Sequence, residues 1–166
     1  MINAVKNHCY ATSLQWTADG EGTANYRSYR RDFTIASPGK AAIAGSSDPA
    51  FRGDPSRHNP EELLVASLSA CHMLWYLHLC STQGIVVLRY EDEAIGTMCE
   101  NTDGSGEFQR VELRPVVTIV PEGDRARALA LHEEAHRLCF IARSVNFPVE
   151  IKGEITLACR IPEFET

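Results

Sequence analysis

The feature that most restricts what this chain can become is residues 63–80, LLVASLSACHMLWYLHLC, an apolar run of 18 residues relieved mainly by Ser67, Ser69, His72 and His78. The marks of a helix bracket it. Asn59 is a good N-cap, Pro60 suits the first turn, Glu62 stands three residues after the cap as in a capping box, and Gly84 is the natural stop. Glu61 and Glu62 also favour the positive end of the helix dipole. Leu64, Leu68, Cys71, Trp75 and His78 share one stripe, yet Val65, Ala66, Met73 and Leu77 make the opposite side apolar too. Such a helix must be covered nearly all round. Its length just reaches the threshold for a membrane span, but the embedded histidines and serines and the opening glutamates predict a buried helix of a soluble fold instead. A chain of 166 residues has few other elements with which to cover it alone, so the pattern already points to a dimer.

The remaining segments supply those elements. CYATSLQW (9–16), YRRDFTIAS (29–37) and KAAIAGS (40–46) read as three strands, with Pro38-Gly39 as the turn between the last two. SDPAFRGDPSRH (47–58) is too rich in breakers to be other than a loop. After Gly84, residues 85–98 and 107–120 read as two long strands, 122–139 as a second helix, 140–147 as a short third helix or helical turn, and 149–161 as a closing strand. The order is βββ-α-ββ-α(α)-β, an α+β protein predicted to form a single domain over 1–166 with no internal repeat.

Charge narrows the partners. The net charge is −6 and no basic run is longer than YRSYRR (26–31), which argues against nucleic acid or an anionic membrane as the main partner. The start has no apolar signal core, so the expected location is the cytoplasm. The six cysteines (Cys9, Cys71, Cys80, Cys99, Cys139, Cys159) are scattered, with no CxxC pair, and are expected to be mostly free thiols.

Two thiols have marked settings. Cys71 lies inside the apolar helix, and Cys139 ends the second helix in EEAHRLCFIARSV, where a further turn can begin. A thiol at a helix start feels the dipole, which favours the nucleophilic thiolate. Cys80 cannot bridge Cys71, because nine helical residues separate them by roughly 13.5 Å. A partner for Cys71 must come from elsewhere in the chain, and Cys139 is the best placed.

NPEELLVASLSACHM (59–73), a second cysteine 68 residues after Cys71 within AHRLCFIARSV, and the element order together resemble the OsmC/Ohr family of osmotically inducible and organic hydroperoxide resistance proteins. The resemblance covers roughly residues 8–160. It implies an intertwined homodimer, with sheets packed around central helices, that acts as a cofactor-independent thiol peroxidase on organic hydroperoxides. By that resemblance Cys71 is the attacking thiol, Cys139 the resolving one, Glu61 the glutamate of the Asn-Pro-Glu motif and Arg52 the arginine, with Arg57 as competitor. The reductant it implies is a small dithiol such as a lipoyl group. The chemistry suits these types. A thiolate cleaves the peroxide to give a sulfenic acid, which a second thiol condenses to a disulfide. Apolar surroundings disfavour a thiolate, so a guanidinium is wanted nearby and a carboxylate to hold it. Phe51, Met73, Phe140 and Phe147 are candidates for apolar walls.

Helix geometry adds one inference. Ten helical residues put Glu61 and Cys71 about 15 Å apart, so a Glu61 that serves Cys71 comes from the other subunit. Two departures from the family pattern stand out: Phe140 follows the second cysteine where proline is common, and His72 and His136 flank the thiols. Two other readings compete. HEEAH (132–136) fits a zinc-hydrolase pattern, with His132 and His136 as ligands and Glu133 as base. The alternative reading of that string is a solvated face. The chain can also be a non-enzymatic member of the fold that binds a ligand or senses oxidant.

Overall fold

The computed structural model describes residues 6–159. Arg160 and Ile161, the last two residues of the predicted closing strand, lie outside the described residues, as do the first five of the start read for an export signal. The chain forms two compact units, divided at Leu63/Leu64.

The first unit is a three-stranded antiparallel sheet, β1 (Ser13–Gln15), β2 (Phe33–Ala36) and β3 (Ile43–Gly45), in that spatial order. The strands sit where expected but are shorter. Pro38-Gly39 makes the β2–β3 turn, with Gly39 at φ +71 and the Lys40 amide donating to the Ser37 carbonyl at 3.2 Å. Phe33 pairs with Gly45, and its ring lies over the glycine where a Cβ would stand 2.2 Å away. The predicted loop holds a short 3-10 turn over Pro49–Phe51.

The second unit contains most of α1 (Pro60–Thr82), then β4 (Val87–Asp92), β5 (Ile95–Glu100), β6 (Gly106–Leu113), β7 (Pro115–Ile119), α2 (Arg125–Leu138), a 3-10 turn at Ala142–Ser144, β8 (Val149–Ile151) and β9 (Glu154–Leu157). The capping box forms as expected: the Glu62 amide donates to Asn59 Oδ1 at 2.7 Å, and the Asn59 amide to Glu62 Oε2 at 3.1 Å. Gly84 stops the helix at φ +74, with the Ile85 amide on the Cys80 carbonyl.

Each of the three long strands expected after Gly84 is broken in two. The halves sort into separate sheets, β4-β7-β9 and β5-β6-β8, with parallel β7/β9 and β6/β8 pairs. The breaks fall at Glu93–Ala94, Arg114 and Lys152–Gly153. Pro115 supplies one cause, since it has no N–H to give and restrains the residue before it. The freed Arg114 amide donates instead to Asp92 Oδ1 at 2.7 Å. Two cores follow from the two sheets. Leu68 packs with Val111 and Leu113 on one sheet; Tyr76 and Cys80 pack with Val117, Ile119, Ile155 and the α2 residues Ala128, Leu131 and Ala135 on the other.

The buried line of α1 is Leu68, His72, Tyr76 and Cys80, which corrects the stripe expected from sequence. His78, predicted to be on the Cys71 face, is exposed and meets Trp75 edge-on at 5.7 Å between centroids. On the far side Ala66, Ala70 and Leu74 are exposed, Leu74 at 64%. By length and composition α1 would suffice to cross a membrane, but its packing against two sheets and α2 makes it the core helix of a folded unit.

Candidate functional site

The site builds outward from where α1 meets the end of α2. Cys71 is half-buried on α1, and Cys139, 1% exposed, is the C-cap of α2, its amide on the His136 carbonyl. The two thiols lie close enough to influence each other's proton affinity. Cys139 Sγ also accepts from the Ala142 amide at 3.4 Å. Burial pushes the Cys139 thiol up to about 11, as does its contact with Cys71, while the Ala142 and Ile141 amides pull partly the other way. At neutral pH Cys139 therefore carries its proton. All six cysteines are free thiols. The two thiols singled out from the sequence thus meet. The expected pull of a helix start on Cys139 reduces to the amides that open one 3-10 turn.

Beside the thiols, the same two helices make a second contact. His72 Nε2 and His132 Nδ1 share a hydrogen bond of 3.0 Å, and Tyr76 stacks on His132 at 4.0 Å between centroids. Both rings are buried, His72 at 1% and His132 at 4% exposure. Burial lowers His72 to about 4, helped by His136 and opposed by Asp92. Burial, then His72, lowers His132 to about 3. Both rings are neutral at pH 7. Nearby, Ser69 donates to Asp92 Oδ2 at 2.5 Å, so Asp92 holds both α1 and the Arg114 break.

This pair corrects both readings of HEEAH. His132 is no part of a solvated face. Nor is it open to an ion: Nδ1 is taken by His72, and Nε2 lies where a Cβ on Gly153 would be 2.8 Å away. Glu133 is exposed, and among the described residues no three of His, Cys, Asp and Glu gather as metal ligands.

The other predicted site residues lie in the first unit. Glu61 is half-buried in the first turn of α1. That helix is unbroken, so ten residues of it separate Glu61 from Cys71, about 15 Å. Arg57 is held by two carboxylates, Asp32 at 3.7 Å and Asp54 at 3.5 Å. Arg52 has no ion pair among the described residues and adopts the left-handed conformation at φ 68. Of the expected apolar walls, Phe140 is 64% exposed and edges Trp75 at 5.5 Å, whereas Phe147 packs on Phe108 within the second core.

The fold places the chain among α+β proteins built round one apolar helix. The sequence profile described as OsmC-like protein matches residues 53–154, and the chain belongs to that family. Solved structures agree. An OsmC-like protein of unknown function from Vibrio cholerae is 29% identical over 90% of this chain and 100% of its own, with a TM-score of 0.78. An organic hydroperoxide resistance protein from Elizabethkingia anophelis is 20% identical over 92% and 100%, at 0.64. The organic hydroperoxide resistance protein OhrB of Bacillus subtilis is 24% identical over 89% and 98%, at 0.55. A search of curated proteins finds no match.

Proposed function

We propose that the protein is a thiol peroxidase that reduces organic hydroperoxides with Cys71 and Cys139. The observation that carries this reading is the proximity of the two thiols, one half-buried and one fully buried, where α1 meets the end of α2. Cys71, as thiolate, attacks the terminal peroxide oxygen. An S–O bond forms, the O–O bond breaks, and the departing alkoxide takes a proton to leave as the alcohol. The Cys71 sulfenic acid then condenses with Cys139. The S–S bond forms, and the Cys139 proton leaves with the hydroxyl as water. A small dithiol, such as a lipoyl group, restores both thiols by exchange and is itself oxidised to a disulfide.

Arg52 is the proposed guanidinium for the thiolate, with Arg57, which Asp32 and Asp54 hold, as its competitor. Glu61 is proposed to act across a homodimer, on the Cys71 of the other copy, since an unbroken helix keeps the two apart within one chain. The exposed Ala66, Ala70 and Leu74 give such a dimer a close-packing face.

The test mixes reduced protein with cumene hydroperoxide and dihydrolipoamide and follows peroxide loss, with a chelator in a parallel arm. Catalytic, chelator-resistant turnover that vanishes in Cys71→Ser is expected. A single oxidation without turnover would instead identify a sensor.

A further inference from the structure

Two aromatic side chains stand beside the two thiols, one on each thiol-bearing element. Trp75 follows Cys71 by four residues on α1, which puts both on one face of the helix. A long helical side chain leans back over the turn N-terminal to its own Cα, so the Trp75 indole leans towards the turn that carries Cys71. Phe140 comes directly after Cys139, where α2 has ended. Its ring meets Trp75 edge-on, with centroids 5.5 Å apart and planes at 87°. The thiols come together, and the rings next to them do too.

Phe140 is not placed as a core residue. It is 64% exposed, and a ring left in water forgoes most of what its burial would contribute. The backbone that presents it is nevertheless well tied. Ser144 Oγ donates to the Phe140 carbonyl at 2.7 Å, the Arg143 amide to the Cys139 carbonyl at 3.1 Å, and the Ala142 amide to Cys139 Sγ at 3.4 Å. Trp75 is fixed from the other side, packed on the α1–α2 core and edged by His78 at 5.7 Å. The result is a preformed aromatic corner, open to solvent on its Phe140 side, next to the partly exposed thiol of Cys71.

An edge-to-face pair of rings offers a third ring both a negative face and a positive edge, whereas a methylene chain gains from it only by contact area. Resting on the peroxidase reading of Cys71 and Cys139, we infer that Trp75 and Phe140 are specificity residues that select hydroperoxides carrying an aromatic ring close to the peroxide group. The ring would lie in the corner while the peroxide reaches Cys71.

The experiment compares cumene, tert-butyl and octyl hydroperoxides on the reduced full chain with dihydrolipoamide. Cumene hydroperoxide is the tert-butyl compound with a phenyl in place of one methyl, and octyl hydroperoxide has a large apolar body without a ring. The highest kcat/KM is expected for cumene. In Phe140→Leu, which keeps apolar bulk, the cumene-to-octyl ratio of kcat/KM should fall about three- to tenfold, mainly through KM for cumene. Phe140→Tyr should restore the ratio, and circular dichroism checks that each variant is folded. A ratio unchanged in Phe140→Leu, or a native preference for octyl, would overturn the assignment. A second arm needs no turnover. Cys71→Ser is titrated with cumene hydroperoxide and followed by Trp75 fluorescence, with Trp16→Phe removing the other of the two indoles. Saturable binding that weakens in Phe140→Leu is expected, and its absence would overturn the corner as a ring site. Should no hydroperoxide be turned over, the peroxidase reading fails, and this titration alone decides whether Trp75 and Phe140 hold an aromatic ring.

Discussion

The chain joins α1 to α2 twice, once through Cys71 and Cys139 and once through His72 and His132, and the two pairs are built to opposite ends. Each is a pair of interacting titratable side chains at the same two elements, the histidines joined by a hydrogen bond. The cysteine pair has one partly exposed member, Cys71, and thus a way in for a reactant. In the histidine pair both rings are buried, one is stacked on Tyr76, and Gly153 closes the far side. Under the proposed function, neighbouring positions on one helix would separate chemistry from architecture. Access, not residue type, makes the difference.

The largest expected effect separates the two thiols. Cys71→Ser should abolish hydroperoxide turnover. Cys139→Ser should still consume one equivalent of peroxide and leave a sulfenic acid on Cys71, detectable by dimedone labelling and mass spectrometry. If Cys139→Ser turns over at the wild-type rate with dithiol reductant, the cysteine pair is no working couple and the contrast with the histidines fails.

Acid should expose the histidine pair next. Both rings have folded pKa values below the ordinary 6.5, so below that pH the unfolded chain binds more protons than the native one. Stability is fully present above about pH 6.5 and is lost as pH falls towards 4 and 3. The loss is on the order of 3 kcal/mol for either ring taken alone, a large part of what a domain has. Urea unfolding from pH 7 to 4 measures it. A His72→Gln/His132→Gln double variant should flatten that slope, and a slope that survives would assign the acid sensitivity elsewhere.

A smaller effect tests the packing. Gly153→Ala would bring a Cβ within 2.6 Å of the His132 ring, and relieving that overlap should cost about 1–3 kcal/mol in urea unfolding. Peroxide turnover should be unaffected, because the cysteine pair is spared.

Much of this was open to a reading of the sequence, and the limits fall in particular places. The capping box at Asn59 and Glu62 and the stop at Gly84 are local signals, and they form as read. The strand breaks were less legible. Pro115 was visible, but alternation of apolar residues on both sides carried the strand reading through it, and Asp92, 22 residues away in sequence, takes the amide that marks the break. The histidine pair lay deeper still. His132 in HEEAH suggests a metal or a wet surface until α2 is known to lie against α1, because the partner of its Nδ1 is 60 residues away.

By itself the sequence determined the central helix, its ends, the strand and helix order, and which two cysteines to watch. These rest on hydrophobic period, capping and backbone restrictions that act within a few residues. The tertiary structure decided which face of α1 is buried, where each long strand divides, that Cys71 and Cys139 come near each other, and that His132 is locked rather than open. Those outcomes depend on which distant groups remove water from one another, and no local pattern encodes that.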